Sequence, residues 1–381
     1  MSILYNVFRS QTNLGFVTNR HCLDSYRGFY CFPCSEYNFC PIQDYNVLKL
    51  RSYSFLGKIM FQTLRSLGIV SRAEFILPNL GSLILGLAWG VSPPLFFTDL
   101  AVMVVLSFTI INLSSAIGAQ VNTISDYELD KKDERKTQLV QAMDSLGRSK
   151  LRMSLIVEFL LALTLVSLFV LIQGKPILLF MWIAGISLGC AYSALPFRLK
   201  SRSWLAPVSL VLVLAVFPVL FAYFTFTSAI NPFFLLSLTG LALTVYGVII
   251  PTEIRDYFGD KAMNIETMTV HVGLVKASFL GIMLVAIGAV FIGTAFLLEF
   301  ANGPHAWLSV FLLAMPVTVF VVLEKFRKLF RLCKEYVPSM GLDSIAQEIT
   351  RLSAHNPQWI MIITQTYSFL SIVLLVSKLW P

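Results

Sequence analysis

Long apolar runs alternate with short polar segments along most of the chain, which is typical of a protein that crosses a membrane several times. A helix needs about 20 apolar residues to cross a hydrocarbon layer. Runs of this kind occupy residues 76–92, 98–121, 153–173, 176–194, 205–227, 232–252, 277–298, 306–324 and 358–379. The pattern therefore predicts an all-α integral membrane protein with a bundle of nine transmembrane helices.

The composition and the charge agree with this pattern. Of the 381 residues, 56% are hydrophobic and 13% are charged, and the mean hydropathy of +0.75 lies outside the soluble globular range. Short cytoplasmic loops are rich in Lys and Arg, and such loops lie within 131–152, 198–202, 255–276 and 325–351. We therefore expect the N-terminus in the cytoplasm, and we attribute the net charge of +8 to topology and not to nucleic-acid binding.

Acidic side chains follow the second apolar run, on the predicted cytoplasmic side. Asn122, Asp126 and Asp130 are spaced four residues apart. Because this spacing advances about 400° around a helix, the three side chains share one face. They follow a stretch of small residues, which let helices approach closely. We expect this face to point into the bundle.

A second acidic pair, Asp256 and Asp260, follows the sixth run, after a helix that we expect to break or end near Pro251. Glu253 is close enough in sequence to share its face. Carboxylates that face each other repel unless cations lie between them, and Mg²⁺ takes oxygen ligands that commonly include phosphate. The sequence thus predicts a site for Mg²⁺ and a diphosphate, with these metal ligands: Asp126, Asp130, Asp256 and Asp260.

A basic segment follows the fourth run, on the same predicted side, and begins at Tyr192. Its cations Arg198, Lys200 and Arg202 would anchor the topology in any case, and they also suit a phosphorylated ligand. Together with Mg²⁺, they would neutralise the charge on a departing diphosphate. Aromatic faces would stabilise a carbocation left behind, and the candidates are Tyr192, Phe197, Tyr223, Tyr246 and Tyr257.

From about residue 70 onward, the chain resembles the UbiA superfamily of intramembrane prenyltransferases. The resemblance is carried by the Asn-x3-Asp-x3-Asp motif after the second run, the Tyr-Ser and basic segment after the fourth, and the Asp-x3-Asp motif after the sixth. It continues through Lys261 to residues 267–273. The fold that it implies is a nine-helix UbiA-like bundle whose active site opens on the cytoplasmic side.

The resemblance implies Mg²⁺-dependent transfer of an isoprenoid chain from a polyprenyl diphosphate to an acceptor that is often an aromatic ring. Asp126, Asp130, Asp256 and Asp260 take the catalytic and metal-binding roles. The substrate-binding roles fall to Asn122, Tyr192, Arg198, Lys200, Arg202 and Lys261. The acceptor, the isoprenoid length, the number of metal ions and the oligomeric state are left open.

Some residues depart from the family pattern. Thr123 stands where many members have a second Asp, Thr252 where an Asn is frequent, and His271 where an Arg is usual. Residues 133–151 also lack a signature of several quinone-pathway members, so a quinone-precursor acceptor is not implied. Outside the motifs, Glu158 lies within the third run, where an ionisable group is a functional candidate.

We expect two regions in the chain. Residues 1–70 form an N-terminal extension of unassigned fold, with Met60 as an alternative start, and Cys31 and Cys34 have the spacing of half a zinc site, although reduced thiols are the favoured interpretation. Residues 71–381 form the UbiA-like domain. Within it, residues 325–357 form a basic loop insertion, which either sets the topology or includes an amphipathic helix on the membrane surface.

Two other functions fit parts of the same pattern. A terpene cyclase would ionise the same diphosphate and let a double bond of the chain capture the cation. A transporter would also have many spans and intramembrane polar groups, but alternating access favours a site near the middle of the membrane. Because the polar groups here gather at one end of the predicted bundle, we favour an enzyme, and among enzymes the prenyltransferase.

Overall fold

The computed structural model describes residues 60–92, 97–132, 136–262, 265–303, 305–336 and 343–379. Within these ranges the regular structure is helical, apart from one isolated bridge between Ser203 and Thr267. The Cys31 and Cys34 pair and most of the predicted N-terminal extension lie outside the described residues. The last part of that extension, residues 60–70, is helical.

We number the helices of the described residues in chain order. They are α1 (60–70), α2 (Ile76–Gly90), α3 (Phe97–Asp130), α4 (Thr137–Leu146), α5 (Arg148–Gln173), α6 (Ile177–Ser193), α7 (Leu205–Phe226), α8 (Pro232–Ala262), α9 (Met268–Val272), α10 (Leu274–Asn302), α11 (Ala314–Tyr336), α12 (Asp343–Ser353) and α13 (Asn356–Leu379). A π-helical turn at Leu212–Val216 lies within α7, and a 3-10 helix at Ala306–Leu313 leads into α11.

Each predicted apolar run coincides with a helix. Among the described residues, eight helical segments are long and apolar enough to cross a membrane: Ala73–Gly90, Asp99–Asp130, Arg148–Gln173, Leu205–Phe226, Pro232–Ala262, Leu274–Asn302, Ala306–Tyr336 and Asp343–Leu379. The remaining predicted span coincides with α6, an apolar helix of 17 residues. The chain is therefore an all-α, multi-pass integral membrane protein, as the sequence predicts.

The expected break near Pro251 is wrong, because α8 continues through this residue to Ala262. A proline inside a helix removes the backbone donor for the carbonyl oxygen four residues earlier, which here is that of Gly247. Beside this position the Asn356 amide nitrogen, at the start of α13, donates to the Val248 carbonyl oxygen at 2.6 Å and to Thr252 Oγ1 at 2.9 Å. The second acidic pair therefore lies on the same continuous helix as the sixth apolar run.

The basic insertion at 325–357 is largely helical in the residues that the structure describes. Helix α11 extends to Tyr336, and α12 follows it. Leu329 and Cys333 of α11 and Ile349 of α12 are buried in one cluster with Ile254 of α8. Because this apolar face packs inside the protein, the segment forms helices and not an extended loop, and its contact with a membrane surface stays a prediction.

Glycines allow α8 and α10 to pack at close range. A Cβ atom at Gly240 would lie 2.6 Å from the Gly288 carbonyl oxygen, and a Cβ atom at Gly288 would lie 2.5 Å from the Gly240 carbonyl oxygen. Small residues at helix contacts drive association in membranes through close backbone packing. Helices α2 and α7 meet in the same way, since a Cβ atom at Gly86 would lie 2.7 Å from the Val219 carbonyl oxygen.

Substitutions at these glycines test the close packing. We expect Gly240→Ala and Gly288→Ala to lower the free energy of unfolding by about 1–3 kcal/mol each, because the added methyl group meets backbone that cannot rotate away. Thermal unfolding in detergent measures the effect. The matched control is Gly185→Ala, whose nearest neighbour would be Phe217 Cβ at 3.7 Å, an ordinary contact. Equal melting temperatures for all three variants would contradict the packing described here.

Candidate active site

The first acidic stripe lies on the last turns of α3. Asp126 and Asp130 are 8% and 3% exposed, so this face points into the protein as expected. Asn122 is half-buried, and its Oδ1 atom accepts a hydrogen bond of 2.7 Å from Ser193 Oγ at the end of α6. The first motif is therefore joined directly to the helix that precedes the basic segment.

The basic segment folds back onto this stripe. Lys200 Nζ forms an ion pair with Asp126 Oδ1, and an Arg198 guanidinium nitrogen lies 3.7 Å from the same oxygen. The φ angles of Arg198 and Ser203 are +39° and +25°, which is uncommon for residues other than glycine. Arg202 is exposed. Two of the three predicted cations thus lie at Asp126, and the third faces outward.

The Lys200–Asp126 pair is partly removed from solvent. Burial lowers the pKa of the Lys200 ammonium, while its hydrogen bond to Asp126 acts in the opposite direction. Removing two charges from water costs free energy that their attraction offsets only with good geometry. A partly buried ion pair of this kind contributes little to the stability of the fold. It suits a binding site, because a bound anion can take the place of Asp126 beside Lys200.

Asp130 has a cation of its own. The Lys136 Nζ atom lies 2.5 Å from Asp130 Oδ1, and Lys136 directly precedes α4. Lys136 is absent from the predicted site residues, because its separation of six residues from Asp130 shows no helical relationship. The two side chains lie on either side of the connection between α3 and α4 and meet as an ion pair.

The second acidic pair lies near the end of α8. The Arg255 guanidinium donates to both carboxylate oxygens of Asp256, at 3.0 and 2.9 Å. The Asp260 carbonyl oxygen accepts from the Ile265 amide at 2.9 Å. Lys261 is exposed, with its Nζ atom 5.7 Å from the centroid of the Tyr257 ring. The structure therefore places Lys261 on an aromatic face at the surface.

The segment after α8 contacts the basic segment directly. The Ser203 amide donates to the Glu266 carbonyl oxygen at 3.1 Å, and Ser203 and Thr267 form the isolated bridge. Tyr192 directly precedes Ser193, whose hydroxyl donates to Asn122 of α3. The ends of α3, α6 and α8, with all three motifs, therefore meet at one end of the bundle.

Within the described residues, no three Asp, Glu, His or Cys side chains approach closely enough to form a metal-binding group. In this arrangement Asp126, Asp130 and Asp256 are each neutralised by a neighbouring cation. The residues nevertheless fit Mg²⁺, which prefers oxygen ligands and often uses only one or two carboxylates. The Asp130 Oδ2 atom is also buried and has no hydrogen-bond partner among these residues.

Other predicted candidates lie elsewhere. Both carboxylate oxygens of Glu158 accept from the Gln120 amide nitrogen at 2.8 Å, which joins α5 to α3 outside the three motifs. The Tyr223 hydroxyl donates to the Ala229 carbonyl oxygen, in a connection that the predicted topology places on the opposite side. Phe197 is exposed. Glu158 and Tyr223 therefore bind partners outside the three motifs.

Comparison with known sequences identifies the family. The sequence profile of the UbiA prenyltransferase family matches residues 76–329, which include all three motifs. The chain belongs to the UbiA prenyltransferase family. No curated protein sequence matches the chain.

Solved structures of UbiA proteins share the fold. The chain is similar to digeranylgeranylglyceryl phosphate synthase, with 13% identity, a TM-score of 0.56, and coverage of 81% of this chain and 99% of the other. It is also similar to a UbiA homologue from Archaeoglobus fulgidus bound to GPP and Mg²⁺, with 18% identity, a TM-score of 0.55, and coverage of 78% and 99%. The same homologue bound to DMAPP and Mg²⁺ gives 18% identity, a TM-score of 0.54 and the same coverage. At these identities the likeness establishes the fold alone.

A cross-link tests the contact between the basic segment and the segment after α8. Paired backbone positions lie within the Cα separation that a disulfide requires, about 4.4–6.8 Å. We expect Ser203→Cys combined with Thr267→Cys to form a disulfide under mild oxidation, in a protein whose six native cysteines are changed to serine. Mass spectrometry of the linked peptides detects it, and each single variant is a control. Two free thiols after oxidation would contradict the contact.

Proposed function

We propose that this protein is an Mg²⁺-dependent intramembrane prenyltransferase, which transfers an isoprenoid chain from an allylic polyprenyl diphosphate to a lipid-soluble acceptor. One observation carries the proposal. The basic segment pairs with the first acidic motif through Lys200 and Arg198 at Asp126, and its end, Ser203, donates to the carbonyl oxygen of Glu266, which follows the second motif in the chain. This arrangement brings anion-binding cations to the carboxylates that would hold a divalent metal ion.

Each motif has a role in this proposal. Mg²⁺ would be held by the four aspartates, and it supplies charge neutralisation for the leaving diphosphate. Lys200 and Arg198 bind diphosphate oxygens, for which Lys200 exchanges its ion pair with Asp126. Asn122, held by Ser193, orients the first motif. Arg202 and Lys261 are exposed, and we assign them to the outer edge of the site.

The reaction begins with cleavage of the allylic carbon–oxygen bond. The electron pair leaves with the diphosphate, and the isoprenoid chain remains as an allylic cation. The apolar helices around the site exclude water from this cation, and the face of Tyr192 stabilises its charge. An electron pair of the acceptor then forms the new bond to the same carbon, and the acceptor loses a proton.

Similar structures support this substrate class and cofactor. The Archaeoglobus fulgidus homologue is bound to GPP or DMAPP together with Mg²⁺. The shared fold makes the same pairing of a prenyl diphosphate with Mg²⁺ the best candidate here. The acceptor is not specified by these comparisons.

The proposed orientation follows from charge. The segments next to the candidate site, residues 131–152, 198–202 and 255–276, hold much of the Lys and Arg, and such segments face the cytoplasm. We therefore place the N-terminus and the active site on the cytoplasmic side. We assign residues 71–381 as the catalytic region. Val70, the last residue of the predicted extension, is buried against Tyr127 and Leu139 of this region.

Conservative substitutions of the aspartates test the proposal. We expect Asp126→Asn and Asp256→Asn each to lower product formation by at least about 100-fold, because a neutral amide cannot replace a carboxylate that balances a divalent ion and a diphosphate. The assay uses protein in liposomes, Mg²⁺, and radiolabelled allylic diphosphates of several lengths, with and without a membrane-lipid extract. The matched control is Glu128→Gln, an exposed residue of α3 that pairs with Arg148.

The products distinguish the possible functions. Labelled product that requires the extract, is lost with a chelator and returns with Mg²⁺ would support the transferase. A cyclic hydrocarbon formed without an acceptor would identify a terpene cyclase. Diphosphates that stay intact with every extract, in the parent protein as in the variants, would contradict both enzyme functions.

We expect Lys200 and Lys261, both predicted to bind substrate, to differ in their effect on the KM for the prenyl diphosphate. Lys200→Met should raise the KM for the prenyl diphosphate by about tenfold or more, since it removes a half-buried charge at Asp126. Lys261→Met should change the KM by less than about threefold, because exposed charges contribute little. Initial rates over a range of diphosphate concentrations measure both values. Equal effects of the two variants would contradict the site described here.

A further inference from the structure

Glu253 lies on α8 three residues before Asp256, in a position that suggests a further metal ligand. The structure gives it different partners. Its Oε2 atom accepts a hydrogen bond of 3.1 Å from the Thr269 amide and one of 3.0 Å from Thr269 Oγ1. Thr269 is fully buried in the first turn of α9. One carboxylate oxygen therefore holds the start of α9 against α8.

The start of α9 is also where the chain reaches the basic segment. Thr267, which caps α9, forms the bridge with Ser203, and the preceding carbonyl oxygen, that of Glu266, accepts from the Ser203 amide. Ser203 has a positive φ angle, a conformation that a residue other than glycine keeps only when its surroundings hold it. The end of the basic segment is therefore fixed by the few residues that Glu253 holds in place.

The positions of the cations in the basic segment depend on how both ends of the segment are held. At the first end, the Arg198 amide donates to the Ala194 carbonyl oxygen at the end of α6. At the second end, Ser203 is held by Glu266. Lys200 lies between them in a 3-10 turn, Leu199–Ser201, from which it reaches Asp126. A shift of either end would therefore move the Lys200 ammonium away from its place.

We propose that Glu253 is a positioning residue for diphosphate binding. Through Thr269 it fixes the start of α9, and through Ser203 it fixes the segment that presents Lys200 and Arg198. This inference rests on the proposed function, because it concerns the binding of the prenyl diphosphate. Glu253 acts by accepting hydrogen bonds from Thr269. This role requires an acceptor oxygen at the end of the side chain, and it does not require a negative charge.

Three variants separate this role from that of a metal ligand. Glu253→Gln keeps an oxygen that can accept both hydrogen bonds, and Glu253→Ala removes it. Thr269→Val removes the hydroxyl donor and keeps the amide donor, so it gives a milder change if Glu253→Ala fails to fold. The matched control is Thr350→Val on α12, where the hydroxyl donates only to the Ala346 carbonyl oxygen of its own helix among the contacts described.

Amide hydrogen exchange of residues 199–205 in reconstituted protein is the first measurement, because it needs no enzymatic activity. We expect exchange about tenfold faster in Glu253→Ala, a smaller increase in Thr269→Val, and parental exchange in Glu253→Gln and Thr350→Val. Steady-state kinetics with a prenyl diphosphate and Mg²⁺ is the second. We expect the KM to rise by about tenfold in Glu253→Ala with kcat within about threefold, and the KM to be restored in Glu253→Gln.

The outcomes separate this inference from the proposed function. Parental exchange in both Glu253→Ala and Thr269→Val would overturn the inference whether or not the protein is active. A KM that stays unchanged while the exchange accelerates would overturn it too. Loss of activity in Glu253→Gln as large as in Glu253→Ala would make Glu253 a charged ligand. If exchange is faster in Glu253→Ala but the parent protein ionises no prenyl diphosphate, the result would support the positioning of the segment and count against the proposed function.

Discussion

Buried carboxylates at the end of an apolar bundle require compensating positive charge, and this requirement organises the candidate site. Asp126 and Asp130 are almost fully removed from solvent, and each forms an ion pair with a lysine from a different connection, Lys200 or Lys136. Repulsion between carboxylates makes such cations necessary. Lys136 and Lys200 therefore bring positive charge to the acidic stripe, and in the proposed function the same charges would serve a metal ion and a diphosphate.

The helices that carry the charges are held by contacts of another kind. In a membrane, lipid tails are as apolar as the side chains, so helices associate through close packing and hydrogen bonds. Gly240 and Gly288 allow this packing between α8 and α10, and Gly86 allows it between α2 and α7. Because α8 carries the second acidic pair, the glycine contacts on its apolar part help to set the place of the charges at its end.

The sequence predicts well those features that depend on local spacing. The apolar runs give the helices, and the four-residue spacing places Asn122, Asp126 and Asp130 on one face of α3. The features that it does not predict depend on partners far along the chain. Helix α8 continues past Pro251 and binds Asn356 of α13 beside it, and Glu253 binds Thr269 of α9. No periodicity in the sequence relates such positions, so only the folded chain shows these contacts.

Polar groups deeper in the bundle bear on how the site would work. The Asn79 amide nitrogen donates to Asn112 Oδ1 at 3.1 Å and to Ser115 Oγ at 2.9 Å, between α2 and α3. These neutral groups form hydrogen bonds with one another, whereas the charged groups of the three motifs lie where α3, α6 and α8 end. A ligand with a diphosphate at one end and an apolar chain at the other matches this division, because its charge stays among cations while its chain lies among apolar helices. In the proposed reaction the same division would keep water from a cation formed on the chain, which a transferase and a cyclase both require.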